Sequence, residues 1–235
     1  MVKTYSKNAN RNMRRPVVKE EVVRFMREHQ AQNTGFLKKL EDFAQSENIP
    51  IIPPETSAYF RLLMQVLQPK KILEIGTAIG FSALLMAENA PSAGITTIDR
   101  NPEMIALAKD NFANYDSRRQ IRLIEGEASD ILAELDETYD FVFMDSAKSK
   151  YIVFLPAVLE HLAVGGLVVL DDVFQGGDVT KPIEDIHRSQ RAIYRGLQKL
   201  FDATLTNPDL TASLLPIGDG LLMIRKNTKE ARLPD

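Results

Sequence analysis

Between Lys71 and Leu170 the chain alternates short apolar runs with longer stretches of helical spacing, and this alternation limits the folds open to it more than any other feature. The runs are Ile72–Ile75, Ile95–Ile98, Ile121–Ile124, Phe141–Met144 and Leu167–Leu170. Strands this apolar are buried on both faces. Helical spacing returns between them at Ser82–Asn89, Pro102–Asn114 and Tyr151–Leu162. Such strand–helix–strand units close as a doubly wound parallel sheet with helices on both faces, an α/β architecture. The C-terminal segment adds an antiparallel hairpin: Ala212–Ile217, a Gly218-Asp219-Gly220 turn and Leu221–Arg225. A mostly parallel seven-stranded sheet is expected.

The flanks read differently. Apolar residues recur at helical spacing from Val17 to Glu47, with a break at Asn33-Thr34-Gly35, which predicts two helices. The prolines of Ile49–Pro54 remove donors and favour extended backbone, so this stretch marks the seam between an N-terminal basic arm with a helical cap, residues 1–50, and the main domain, 51–235. Glu55–Leu67 returns to helix. Ile183–Phe201 reads as one amphipathic helix with Ile186, Ile193, Leu197, Leu200 and Phe201 inward and His187, Arg188, Arg191, Arg195 and Lys199 outward.

Composition excludes several chemistries. With no cysteine, the chain of 235 residues cannot form disulfides, use a thiol nucleophile or hold Cys-ligated zinc. Its three histidines, His29, His161 and His187, are scattered, so a metal would need oxygen ligands. No apolar run reaches the ~18 residues of a membrane span, and Met1–Arg15 lacks a signal-peptide core, so a cytoplasmic protein without a membrane partner is expected. Charge is segregated: residues 1–19 carry Lys3, Lys7, Arg11, Arg14, Arg15 and Lys19 without an acid, leaving −9 on the remainder of a chain whose net charge is −3. Such an arm is either an electrostatic handle for an anionic partner or a solvated terminus.

Candidate chemistry sits at the strand ends. The first strand–helix junction carries Glu74, Gly76, Gly80 and Ser82 as E-x-G-x-x-x-G-x-S, where glycines let the backbone approach a ligand closely. This is neither a phosphate-cradling P-loop nor the G-x-G-x-x-G of dinucleotide binders. Asp99 ends the next strand, placed either to take both hydroxyls of a ribose or to cap the helix that begins at Pro102. Asp145 ends the fourth strand and Asp171-Asp172 the fifth. Neighbouring strands lie ~4.8 Å apart, so these carboxylates converge, to be relieved by Mg²⁺, Mn²⁺ or Ca²⁺ or by helix capping and pairing with Lys148 or Lys150. Lys148 is a general base or a counter-charge. Tyr151 and Phe174 either wall a planar substrate or belong to the core.

Together these segments resemble the cation-dependent class I S-adenosylmethionine O-methyltransferases, the catechol and caffeoyl-CoA group, over roughly residues 50–226. The resemblance rests on LEIGTAIGFS, TIDRNPE, EGEASDIL, FVFMDSAKSKY and PIGDGLLMIRK in that order. It implies a Rossmann-like fold and an S-adenosylmethionine site in which Glu74, Gly76 and Ser82 belong to the cofactor loop, Asp99 holds the ribose, Gly126 and Ala128 line the adenine, Ile52 approaches from the seam and Asp145 borders the cofactor. It further implies Mg²⁺ on Asp145, Asp171 and Asp172, Lys148 as the base, and a homodimer. Many relatives carry Asp-Asn where this chain has Asp171-Asp172. The basic arm is similar to the bacterial branch that methylates 5-hydroxyuridine at the tRNA wobble position. On that reading Arg11, Arg14 and Arg15, with Arg188, Arg191 and Arg195, contact phosphates of the anticodon stem-loop. The alternative acceptor is a small catechol-like or hydroxylated aromatic molecule.

Overall fold

The computed structural model describes residues 17–234, so Arg11, Arg14 and Arg15 lie outside the described residues. Three helices come first: α1 (Glu20–His29), α2 (Gly35–Ser46) and α3 (Pro54–Leu67). There follow β1 (Lys71–Ile75), α4 (Phe81–Asn89), β2 (Gly94–Asp99), α5 (Pro102–Tyr115), β3 (Ile121–Glu125), α6 (Ala128–Glu134) and β4 (Tyr139–Met144). The remainder is α7 (Tyr151–His161), β5 (Leu162–Leu170), α8 (Arg191–Thr204), β6 (Leu210–Leu215) and β7 (Leu221–Lys226). The strand order is β3-β2-β1-β4-β5-β7-β6. β7 runs antiparallel to both β5 and β6, while the other pairs are parallel. The expected seven-stranded, mostly parallel sheet with its terminal hairpin is thus present.

Alternation along the central strands splits the core into two layers. Ile72, Phe141 and Phe143 face one side with Phe60, Phe81 and Leu84, whereas Leu73, Ile75, Val142 and Met144 face the other with Tyr151, Leu155, Val158 and Leu197. The helices expected as a cap share the first of these layers: Leu37, Leu40 and Ala44 of α2 pack into it, and Ile52 is buried there. α1 is tied to α3 by a two-pronged ion pair, Arg27 Nε to Glu55 Oε2 at 2.7 Å and Arg27 Nη2 to Glu55 Oε1 at 2.9 Å. Among the described residues no helix is long and apolar enough to cross a membrane.

One expected element is corrected. The segment 183–201 is not one helix: Ile183–Asp185 and Arg188–Gln190 form short 3₁₀ turns, and α8 starts only at Arg191. Ile186 is extended (φ −85°, ψ 128°), and His187 leaves the helical region (ψ 137°) to accept the Ser189 N–H on its ring nitrogen. Ile186 is nevertheless buried, so an anchored loop reproduces the apolar spacing of a helix. The hairpin strands also start and end differently, leaving Ile217 in the turn.

Candidate active site

β1 is the switch point of the sheet, because the chain winds outward through β2 and β3 on one side and then through β4 and β5 on the other. The crevice beyond the carboxyl ends of strands at such a point is where doubly wound folds bind ligands. Gly76 leaves β1 there, its N–H donating to the Ile98 carbonyl (2.9 Å), while the Asp145 N–H donates to the Ile75 carbonyl (2.9 Å). Gly76 has φ +106°, and a Cβ on it would overlap the Asp145 carbonyl oxygen. Only glycine lets the β1 and β4 exits lie so close.

Beneath this turn lies a closed hydroxyl–carboxyl relay. Glu74 is wholly buried; Ser82 Oγ donates to its Oε1 and Thr97 Oγ1 to its Oε2, both at 2.5 Å. Thr77 and Thr97 hydroxyls lie 2.6 Å apart. Burial pushes the Glu74 carboxyl up to about 8, despite the two hydroxyl donors that pull the other way. The structure therefore places Glu74 and Ser82 against one another, as the support under the glycine turn. Thr97 was not singled out by the sequence, although its place in a strand beside Glu74 is readable from the βαβ register.

Asp99 is half-buried at the end of β2. Its Oδ2 accepts the Ala78 N–H and its Oδ1 the Asn101 N–H, each at 2.9 Å. The capping alternative falls away, because Asn101 caps α5, accepting from the Glu103 and Met104 N–H groups. Gly126 N–H donates to the Asp99 carbonyl (2.8 Å), which brings Gly126 and the following Ala128 to the same sheet end. A carboxylate held by two backbone donors keeps further lone pairs for hydroxyl donors.

At the ends of β4 and β5 the structure brings Asp145 and Asp172 together on Lys148, with Asp171 buried beside Asp172. Lys148 Nζ lies 2.6 Å from Asp145 Oδ1 and 3.3 Å from Asp172 Oδ2. Asp171 is almost completely buried and its Oδ1 accepts the Asp172 N–H at 2.8 Å. Burial, then Asp172 and Asp145, hold the Asp171 carboxyl well above the ordinary range. Burial pulls the Lys148 ammonium down, but the surrounding carboxylates outweigh it and hold the group well above the usual lysine value. Among the described residues no three acidic or histidine side chains form a ready metal cage; the ammonium is the cation between two of them. The donor set is nonetheless oxygen-only, at a strand end with two carboxylate oxygens already converging on a cation, which fits a hard divalent ion. Ser146 Oγ, next to Asp145, is buried without a hydrogen-bond partner among the described residues, as are Thr56 Oγ1 and Ser57 Oγ. Tyr139 Oη, at the far end of β4, is likewise unpartnered, so it is Ser146, by its place beside Asp145, that fits a site which a polar ligand completes.

The aromatic pair separates. Tyr151 is fully buried and its hydroxyl donates to the Met144 and Asp171 carbonyls (3.0 and 3.1 Å), so it belongs to the core and ties β4 to β5. Phe174 is half-buried over the hairpin turn. Of the arginines expected to contact phosphates, those described are Arg188 and Arg195, both exposed, and Arg191, which donates to the Ile186 and Glu184 carbonyls (3.0 and 3.2 Å). Ile52 is buried in the core layer beside the seam. The buried carboxylate of Asp219, in the hairpin turn, is a further site-adjacent group that the sequence reading passed over. Its signal was the Gly-Asp-Gly turn itself.

The profile of the O-methyltransferase family matches residues 27–227. A probable caffeoyl-CoA O-methyltransferase of Dictyostelium discoideum is 31% identical over 214 residues, which cover 87% of this chain and 91% of that one. The structure of a putative caffeoyl-CoA O-methyltransferase from Staphylococcus aureus is 32% identical, with a TM-score of 0.77, covering 88% of this chain and 98% of the other. An S-adenosylhomocysteine-bound methyltransferase of Podospora anserina, 24% identical, shares the fold with a TM-score of 0.79 over 89% of this chain and 95% of its own.

Proposed function

The chain belongs to the O-methyltransferase family, as an S-adenosylmethionine-dependent enzyme of the caffeoyl-CoA type, and from that premise we propose that it uses Mg²⁺ to methylate 5-hydroxyuridine at the tRNA wobble position, giving 5-methoxyuridine. The observation that carries the catalytic part is the convergence of Asp145 and Asp172 on Lys148 Nζ beside the Gly76 turn.

S-adenosylmethionine supplies the electrophilic methyl group and takes the electron pair of the broken carbon–sulfur bond. Asp99 would accept from ribose hydroxyls, and the Gly76–Gly80 turn would give the cofactor a backbone wall; the Ala78 N–H bond to Asp99 and the Glu74 relay beneath the turn support this reading. Asp145, Asp171 and Asp172 would hold a divalent cation, which would supply Lewis-acid chemistry toward an acceptor that offers two adjacent oxygens, lowering the pKa of its hydroxyl. In 5-hydroxyuridine those oxygens are the O5 hydroxyl and the O4 carbonyl. With those carboxylates neutralised by a bound cation, Lys148 would lose what favours its ammonium form, and its amine would take the hydroxyl proton as the new carbon–oxygen bond forms.

The tRNA reading is supported by the segregated charge: six basic residues without an acid in residues 1–19, joined directly to α1. Phosphate contacts there would add affinity and salt dependence, and an anticodon loop already presents unstacked bases. We extend the proposal to a homodimer acting in the cytoplasm. The second reading, a small catechol-like acceptor, is favoured by the names of the caffeoyl-CoA relatives.

The test is methyl transfer from labelled S-adenosylmethionine to tRNA carrying 5-hydroxyuridine and, separately, to a simple catechol, each with Mg²⁺ and with EDTA. Label in tRNA that EDTA abolishes is the expected result. Label confined to the catechol would move the acceptor to small molecules. Lys148→Ala is expected to lower turnover by ~10²–10⁴-fold with S-adenosylhomocysteine binding unchanged; equal loss of both removes Lys148 from the base role.

A further inference from the structure

The turn between β6 and β7 is built into the acidic end of the sheet. After Asp171 the chain passes through a dense run of left-handed backbone: Asp172 (φ +56°), Gln175 (+49°), Gly176 (+62°) and Gly177 (+86°). Asp172 and Gln175 carry a Cβ, so their conformation is unfavourable by itself and persists only where neighbours over-determine it. The neighbours come from the hairpin turn. Val173 N–H donates to the Gly220 carbonyl (3.0 Å) and Phe174 N–H to the Asp219 carbonyl (2.9 Å). Gly176 N–H donates to the Asp219 side chain, Oδ1, at 2.6 Å. Gln175 Nε2 closes the loop on itself by donating to the Asp172 carbonyl (3.0 Å).

The turn cannot drift away from this loop. A Cβ on Gly220 would overlap the Phe174 ring, and one on Gly218 would come within 3.0 Å of Thr56 Oγ1 at the start of α3. Asp219 stands between these two contacts, only 6% exposed. Its one main-chain bond to the loop, from the Phe174 N–H, survives any change of side chain, whereas the bond from the Gly176 N–H depends on its carboxylate.

We infer that Asp219 is a positioning residue for the carboxylate cluster. By accepting the Gly176 N–H, it holds the loop 172–177, left-handed at Asp172, Gln175, Gly176 and Gly177, on the path that turns the Asp172 carboxylate toward Lys148. The inference rests on the cation reading above, in which Asp172 helps to hold a divalent ion. Groups that orient ligand-bearing segments without touching the ion commonly shift metal affinity by ~10–100-fold.

The experiment measures Mn²⁺ binding by electron paramagnetic resonance and S-adenosylhomocysteine binding by calorimetry on the full-length chain, for wild type, Asp219→Ala and Asp219→Asn. Asp219→Ala is expected to weaken Mn²⁺ at least about tenfold and leave S-adenosylhomocysteine affinity within about twofold. Asp219→Asn, whose Oδ1 still accepts the Gly176 N–H, is expected to recover most of the Mn²⁺ affinity. Should the alanine variant fail to fold, Asp219→Ser draws the acceptor back from Gly176 while keeping a turn-favouring residue, and the same loss is expected. Unchanged Mn²⁺ affinity, parallel loss of both ligands, or no recovery in Asp219→Asn overturns the inference alone. A wild type that binds no Mn²⁺ overturns the cation reading, and the inference with it.

Discussion

Glu74 shows how a single side chain links the strand ends to stability. It is an acid with no exposure, flanked by hydroxyls rather than by a cation, and burial raises its folded value to about 8 from an ordinary 4.5. A raised folded value means the folded chain holds the proton more tightly than the unfolded chain does. The associated stability is complete below about pH 4.5 and is lost progressively as pH rises through about 8. At ~1.4 kcal/mol per unit, the loss over that window is on the order of a few kcal/mol. Glu74→Gln keeps the shape and an acceptor without the titration, so urea midpoints compared at pH 5 and pH 8.5 should fall much less in this variant than in the wild type. Asp171, pushed in the same direction, leaves a residual slope. Parallel curves for the two proteins would show that Glu74 does not titrate in this range.

Among the elements, α1 joins the fold through an unusual amount of charge. It presents few apolar residues to the core, Val23 being its one buried residue, and its hold on α3 includes the Arg27–Glu55 pair. Glu55 is 2% exposed, so removing its partner leaves a buried carboxylate without its counter-ion. Arg27→Met is expected to cost ~3 kcal/mol in denaturant unfolding. The double variant Arg27→Met, Glu55→Leu should regain most of it, since two apolar side chains of similar reach carry no desolvation penalty. A double variant as unstable as the single one would assign the loss to packing.

For the whole molecule, two surfaces matter beyond the crevice. Deleting residues 1–15 removes Lys3, Lys7, Arg11, Arg14 and Arg15. If all five meet phosphates, the slope of log affinity for RNA against log salt should shrink by about 3.5. An unchanged slope, measured by filter binding across a salt series, would discard the phosphate-contact role. The second surface is apolar: Phe25 on α1 is 60% exposed, and Leu62 and Val66 on the outer side of α3 are 60% and 70% exposed. Leu62 and Val66 lie one helical turn apart on α3, and an isologous dimer covers such an exposed apolar row on both copies at once. The proposed homodimer predicts that Leu62→Asp shifts sedimentation from dimer toward monomer without loss of secondary structure; a monomeric wild type would end that proposal.

Much of this was legible before any tertiary structure. Near-continuous apolar runs separated by helical stretches determine a doubly wound sheet because they require burial on both faces, and the strand ends then fall where Gly76, Asp99, Asp145, Asp171 and Asp172 stand. The same spacing misled at Ile186, since an inward anchor seven residues before Ile193 looks alike in a loop and in a helix until backbone angles decide. Only tertiary structure decided what each strand-end group touches: that Glu74 faces Ser82 and Thr97, that Lys148 balances Asp145 and Asp172, that Tyr151 is core, and that Asp219 reaches Gly176 across 43 residues of chain. Local sequence determines periodicity and turn chemistry, which are properties of neighbours along the chain. Pairings between strand ends depend on register and burial, and those exist only once the sheet has closed.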